Sequence, residues 1–219
     1  MRKTLLAALI FLLLACAGVR ADELQQVADN VDRRYNHLTT LTADFTEIYK
    51  GAGMQRTESG TLWLKKPGRM RWDYREPREK LFLTDGRKAY FYVPGERQAR
   101  QAPVKNLDDL RSPLRYLLGK TKLQKEFDGL SLAKLAPAAP GNVVLQGVPK
   151  SMADRVSRVL LEVNPDGTIF RIVAEELDGS TTEFRFRNQQ ENVPISDARF
   201  EFHAPAGVEM IQTEDVGEY

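Results

Sequence analysis

The sequence predicts a mainly β protein of the α+β class: a strongly curved antiparallel sheet with helices on its concave side. Three observations carry this. From Leu41 onward apolar residues recur at every second position in run after run, the period of strands with one buried and one wet face. Asp85-Gly86, Asp166-Gly167 and Asp178-Gly179 stand between such runs, and Asp-Gly favours hairpins because the tight turn needs positive φ. Only two segments break the period, and both read as helices.

The chain begins with an export signal. Arg2 and Lys3 precede an apolar run from Leu5 to Ala15, too short to cross a membrane, which takes roughly 20 apolar residues. Val19-Arg20-Ala21 fits a cleavage site, so residues 1–21 are predicted to be a signal peptide and 22–219 a single domain that begins at Asp22. Leu13-Leu14-Ala15-Cys16 also resembles a lipobox, which would leave Cys16 lipidated at the mature end. Cys16 is the only cysteine, so cleavage after Ala21 leaves no disulfide, thiol nucleophile or Cys metal site. Loss of Arg2, Lys3 and Arg20 takes the net charge from +2 to about −1, which argues against a nucleic-acid partner.

Leu24, Val27, Val31, Tyr35 and Leu38 make one apolar stripe, predicting a helix over Glu23–Leu38. About six strands follow. Leu41, Ala43, Phe45 and Glu47 share a face. Leu62 and Leu64 alternate with Thr61 and Trp63, and Met70, Trp72 and Tyr74 with Arg69, Arg71 and Asp73. Ala89, Phe91 and Val93 continue the pattern. Ser112 then fits an N-cap, Pro113 a first helical position and Gly119 a stop, predicting a short, very apolar helix over Ser112–Leu118. About five more strands and a tail complete the chain, with Val159, Leu161 and Val163 and then Phe184 and Phe186 facing inward. The apolar interior is either a packed core or a ligand cavity, and periodicity does not separate the two.

No catalytic constellation accompanies this pattern. His37 and His203 stand far apart and in no metal-binding spacing, and there is no P-loop, dinucleotide turn, nucleophile elbow or calcium loop. The carboxylate pairs Asp108-Asp109 and Glu175-Glu176 read as solvated surface, since adjacent strand residues point to opposite faces. The expectation is a protein that is not an enzyme and holds no metal or cofactor.

Several pieces in a fixed order carry a resemblance. They are Ala43-Asp44-Phe45-Thr46, then Ser59-Gly60-Thr61-Leu62-Trp63-Leu64-Lys65-Lys66-Pro67-Gly68-Arg69-Met70-Arg71-Trp72, then Thr84-Asp85-Gly86 and Ala89-Tyr90-Phe91-Tyr92. Near the end come Ser196-Asp197-Ala198-Arg199-Phe200-Glu201-Phe202, Pro205 and Gly207-Val208. In these the chain resembles the LolA family, periplasmic carriers of outer-membrane lipoproteins. The resemblance implies an unclosed β-barrel whose concave apolar face is covered by helices acting as a lid. It implies a monomeric carrier that takes lipoprotein acyl chains from an inner-membrane ABC transporter, shields them, and passes them to an outer-membrane receptor without covalent chemistry.

Alternation then nominates Phe45, Leu62, Leu64, Met70, Trp72, Phe91 and Leu161 as cavity-lining residues. Leu114, Tyr116, Leu117 and Leu118 are the corresponding lid face. The family has a basic residue, usually arginine, before the proline of the Lys-Pro-Gly turn, implicated in holding the lid. Lysine stands there in this chain, at Lys66, with fewer and less pre-organised donors, and Arg71 is a substitute candidate. Two alternatives stay open: a relative anchored through Cys16 that accepts lipoproteins or carries another lipid, and a scaffold that senses lipoproteins without moving them.

Overall fold

The alternation from Leu41 onward folds into one twelve-stranded sheet, which curves strongly but does not close. The computed structural model describes residues 22–104, 115–119, 122–214 and 216. The predicted leader with Cys16, and residues 105–114 with Asp108, Asp109, Ser112, Pro113 and Leu114, lie outside the described residues.

Helix α1 spans residues 22–37. Strands β1 (Thr40–Gly51), β2 (Met54–Lys65), β3 (Arg69–Glu76), β4 (Lys80–Asp85), β5 (Lys88–Tyr92) and β6 (Gln98–Pro103) follow as a meander. Two short helices, α2 (Arg115–Leu118) and α3 (Leu123–Glu126), lead into β7 (Phe127–Leu132), β8 (Val143–Pro149), β9 (Val156–Val163), β10 (Ile169–Glu176) and β11 (Thr181–Glu191). A tail ends in β12 (Glu209–Gln212). The order across the sheet is β12-β6-β5-β4-β3-β2-β1-β11-β10-β9-β8-β7, so the first strand lies in the middle. Every pairing is antiparallel except that of β12 with β6.

Irregularities bend the sheet. The register slips between Thr42 and Asp44 against β11, between Ser59 and Gly60 against β3, and twice along β10, and such bulges increase local twist and curl a sheet. Gly60 is required at one of them, because a Cβ there would run into the Asp73 carbonyl and the Tyr74 backbone.

Curvature gathers most of the inward residues into one buried cluster. It holds Phe45, Trp72, Phe184 and Phe186 from the strands, Val27, Val31 and Tyr35 from α1, and Tyr116, Leu117 and Leu123 from α2 and α3. The helices therefore cover the concave face, as the α1 stripe predicts: Val27, Val31, Tyr35 and Leu38 are buried and Leu24 half-buried. Polar contacts fix α1 to the β9–β10 hairpin and the end of β11. Asn30 donates to the Pro165 carbonyl at 2.6 Å, and Arg34 pairs with Glu191 at 2.6 Å and Asp166 at 3.5 Å. The Ile169 amide donates to the Tyr35 hydroxyl at 3.0 Å. Asp32 accepts from the Leu123 amide, tying α3 to α1.

The tail covers the opposite face of β2 to β5. Asp197 pairs with Lys65 and Arg69 at 2.6 and 2.7 Å, whose hydrogen bonds hold its carboxyl below the ordinary carboxylate range. The Arg199 guanidinium lies 4.5 Å from the Trp63 ring centre, and Phe202 stacks on Tyr90 at 5.2 Å. The Ser196-to-Phe202 motif is thus a strap across β2 to β5 that delivers β12 to the β6 edge.

Tyr35 is fully buried, and burial pushes its hydroxyl well above the ordinary phenol range, so it stays protonated. Tyr35→Phe would leave the Ile169 amide buried without this acceptor, at a cost of about 1–3 kcal/mol. The expected result is a melting temperature lower by roughly 2–4 °C per kcal/mol, measured by calorimetry, with an unchanged far-ultraviolet spectrum.

Candidate functional site

Pairing across β1 to β5 arranges the inner face in rows. Leu41, Leu64, Met70, Thr84 and Ala89 form the row next to the β2–β3 turn. Ala43, Leu62, Trp72, Phe82 and Phe91 form the second. Phe45, Gly60, Tyr74 and Lys80 form the third, with Phe186 beside Phe45 on β11. Glu47 and Glu58 face each other in the fourth, nearest the β1–β2 turn.

The first three rows are apolar apart from Thr84 and Lys80, and their large side chains meet edge-on. Trp72 is 2% exposed, and its ring lies 4.7 Å from Phe45, 5.8 Å from Phe184 and 6.5 Å from Phe186. Phe45 also meets Tyr74 edge-on at 4.9 Å, across the position where Gly60 has no side chain. Edge-to-face rings of this kind add about 0.5–1.5 kcal/mol per pair beyond area burial.

Of the seven nominated lining residues, Phe45, Leu62, Leu64, Met70, Trp72 and Leu161 belong to this one cluster. Phe91 does not. It shares their face but lies two strands further out, in a smaller group with Ala89, Val93, Ala102 and Val216 that half-buried Phe82 joins to the main cluster. Of the nominated lid face, Tyr116 and Leu117 are 1% exposed and face the cluster, with Tyr116 against Phe127 at 5.1 Å. Leu114 and the side chain of Leu118 lie outside the described residues. Phe184, Phe186 and Tyr74 belong to the same cluster, and their alternation in sequence is the signal for them.

The two basic candidates separate. Lys66 Nζ donates to the Tyr35 carbonyl in the last turn of α1. Gly119, directly after α2, sits at φ +71, and a Cβ there would collide with that same carbonyl and with the Lys66 ammonium. One lysine therefore stands where the carboxyl ends of α1 and α2 meet, the place a cation is favoured by orphan carbonyls and by the helix dipole. Arg71 corrects the other expectation. It points to the outer face, where it pairs with Asp73 at 2.7 Å and donates to the Arg199 carbonyl at 3.1 Å in the strap. An open groove of about 540 Å³ runs beside Lys66, lined by Thr39, Thr40, Lys65 and residues 192–196. Its walls mix polar side chains with Val193, Pro194 and Ile195.

Towards the β1–β2 turn the inner face of β1, β2 and β4 carries charged side chains, while the row of Glu47 continues on β11 as apolar Phe184. Lys80 pairs with Glu58 at 2.8 Å, both less than a tenth exposed, and Arg56 reaches Glu58 at 3.1 Å. The Tyr74 hydroxyl meets Glu47 at 2.8 Å, and Lys80 Nζ lies 4.1 Å from the Tyr74 ring centre. The histidines stand apart from all of this: His37 bonds the Arg33 carbonyl within α1, and His203 pairs with Glu201 on the exposed tail.

The model of the family described as outer membrane lipoprotein carrier protein LolA matches residues 36–203. An outer-membrane lipoprotein carrier protein of Alkalilimnicola ehrlichii is 31% identical over 196 residues, 86% of each chain. One from Sodalis glossinidius is 27% identical over 217 residues, 95% of this chain and 97% of that one. Among solved structures, an uncharacterized conserved protein from Thermus thermophilus superposes with a TM-score of 0.56 at 12% identity, covering 86% of this chain and 98% of that one, a likeness of fold.

Replacing Lys66 by Leu removes a charge-assisted hydrogen bond worth about 1.5–3 kcal/mol. Amide exchange in the last turn of α1 and in α2 is expected to quicken by roughly tenfold or more, that energy expressed as a local opening constant. Arg71→Leu should leave those amides unchanged, and mass-spectrometric exchange on both variants compares them.

Proposed function

The chain belongs to the LolA family of outer membrane lipoprotein carrier proteins, and we propose that it ferries lipoproteins across the periplasm with their acyl chains held against its inner face. Residues 1–21 direct export and are removed after Ala21. An inner-membrane ABC transporter supplies the cargo and an outer-membrane receptor accepts it. The observation that supports this reading most is the apolar, aromatic inner face from Leu41 to Phe45, roofed by helices that meet at a single lysine.

Energetics favours such a design. Each buried methylene is worth about 0.8 kcal/mol, so two or three acyl chains free in water would cost on the order of tens of kcal/mol. Passage from one apolar surface to another keeps the chains dry and nearly balances. The seven nominated strand residues line the acyl site, Phe91 at its margin, and Leu114, Tyr116, Leu117 and Leu118 form the face that lifts to admit cargo. Lys66 biases the closed form by a few kcal/mol, which cargo burial overcomes. Carriage asks for no bond making, no cofactor and no metal.

Transfer of a fluorescent lipopeptide from this protein to acceptor vesicles bearing an apolar receptor tests the reading. Wild type should bind and release the probe. Lys66→Leu should change the transfer rate severalfold, beyond what its loss of thermal stability accounts for, while Arg71→Leu transfers normally. A Lys66 variant that transfers at the wild-type rate removes the lysine from the lid.

The mature amino terminus tests where the carrier works. Mass spectrometry of protein recovered from an exporting host should show a free Asp22. A diacylated Cys16 would make the protein the anchored form instead.

A further inference from the structure

The buried charges at the far end of the inner face have no part in the carrier mechanism above. Glu47 is 2% exposed, Glu58 6% and Lys80 8%, all on the face that otherwise holds Phe45, Trp72 and Phe184. A buried ion pair gains little net stability, because desolvating two charges offsets their attraction. It does change what its surface accepts: a methylene pressed against a desolvated carboxylate or ammonium displaces the group's remaining partners and supplies none.

The charges also adjoin one another. Glu47 faces Glu58 across β1 and β2, and Lys80, one row nearer Phe45 beside Tyr74, reaches Glu58 at 2.8 Å. Tyr74 lies between the charged level and the apolar one, its ring edge-on to Phe45 and under the Lys80 ammonium, and its hydroxyl on Glu47. Arg56 closes the set from below through Glu58 and lies 5.8 Å from the Tyr49 ring centre. Along β1 the inner face runs Leu41, Ala43, Phe45 and then Glu47, so the apolar stretch ends roughly 20 Å from its start at about 3.4 Å per residue.

We propose that Glu47, Glu58, Lys80 and Tyr74 form a polar floor that limits how far an acyl chain enters, and so makes this protein select cargo by acyl-chain length. The proposal rests on the carrier reading and names the specificity element of the same site. Chains that end within the aromatic layer of Phe45, Trp72 and Phe184 gain the full benefit of burial. Further carbons meet the charged level and must fold back or stay outside it, so they add nothing to affinity. Entry is from the end where Lys66 holds the helices, because the opposite end is the charged one.

The test is a binding series on the mature protein with synthetic diacyl lipopeptides of stepwise increasing chain length. Wild-type affinity should rise with length and then level off. Glu58→Met combined with Lys80→Met replaces the pair by apolar side chains of similar volume, an exchange that folds tolerate well. Its affinity should keep rising past the wild-type plateau by up to about fourfold for each added methylene, the factor equivalent to 0.8 kcal/mol. A plateau at the same length in wild type and variant overturns the floor, and so does a wild type with no plateau. A second measurement needs no variant: acyl chains carrying a terminal diazirine should label the wild-type protein at the Phe45, Trp72 and Phe184 level, and labelling at Glu58 or Lys80 overturns the proposal. If no chain of any length binds wild type, the carrier reading falls and the floor with it. Binding without length selection removes the floor alone.

Discussion

A sheet that curls without closing cannot bury its own concave face, and the apolar contact between α1 and that face is the constraint on which the other features depend. Val27, Val31 and Tyr35 enter the same cluster as Phe45, Trp72 and Phe186. Their position sets the rest. With α1 fixed there, its carboxyl end falls beside the β2–β3 turn, within reach of Lys66. Asp32 lies where it can hold the first turn of α3, and Gly119 has to be glycine because the Tyr35 carbonyl fills the space of a side chain. Displacing the helices would expose large apolar area at about 25 cal/mol per Å², which only another apolar occupant could offset.

Alternation made the strands legible because the inner face of this sheet is dry and the outer face of β1 to β3 is largely polar. The three Asp-Gly turns joined β4 to β5, β9 to β10 and β10 to β11. The same rule already bore on Arg71: if Trp72 faces in, its neighbour faces out, and the outer partners Asp73 and Arg199 agree. Lys66 lies beyond the end of its strand, where alternation no longer applies, and there the family resemblance pointed to a position that periodicity could not orient. Two of the four-residue elements escaped. β12 has neither a clean alternation nor a buried position, and α3 is a single turn held by Asp32 from far along the chain.

The charged level illustrates a different limit. Glu47 is flagged by its place in the Leu41-Ala43-Phe45 series, but Glu58 and Lys80 look like ordinary charges near strand ends. One charge on each of three strands carries no pattern within any strand. Only register adds them together, because it fixes which positions on separate strands face one another. Phe91 shows the converse: its pattern matches that of Trp72, yet two intervening strand spacings put it in another cluster.

The central place of β1 bears on the order of assembly. β1 lies between β2, its neighbour in sequence, and β11, with Asp44 and Asn188 bonded across 144 positions. The β2-to-β6 meander can zip from local hairpins, as can β7 to β11, but the two halves join only along β1 and β11. That junction waits until nearly the whole chain is present, and loop closure over such a separation slows folding. Until then β1 and β11 are bare edges, able to pair with any passing strand. A chain that starts folding from its first residues must therefore keep the strand that becomes its centre unpaired on one side until the last large strand arrives.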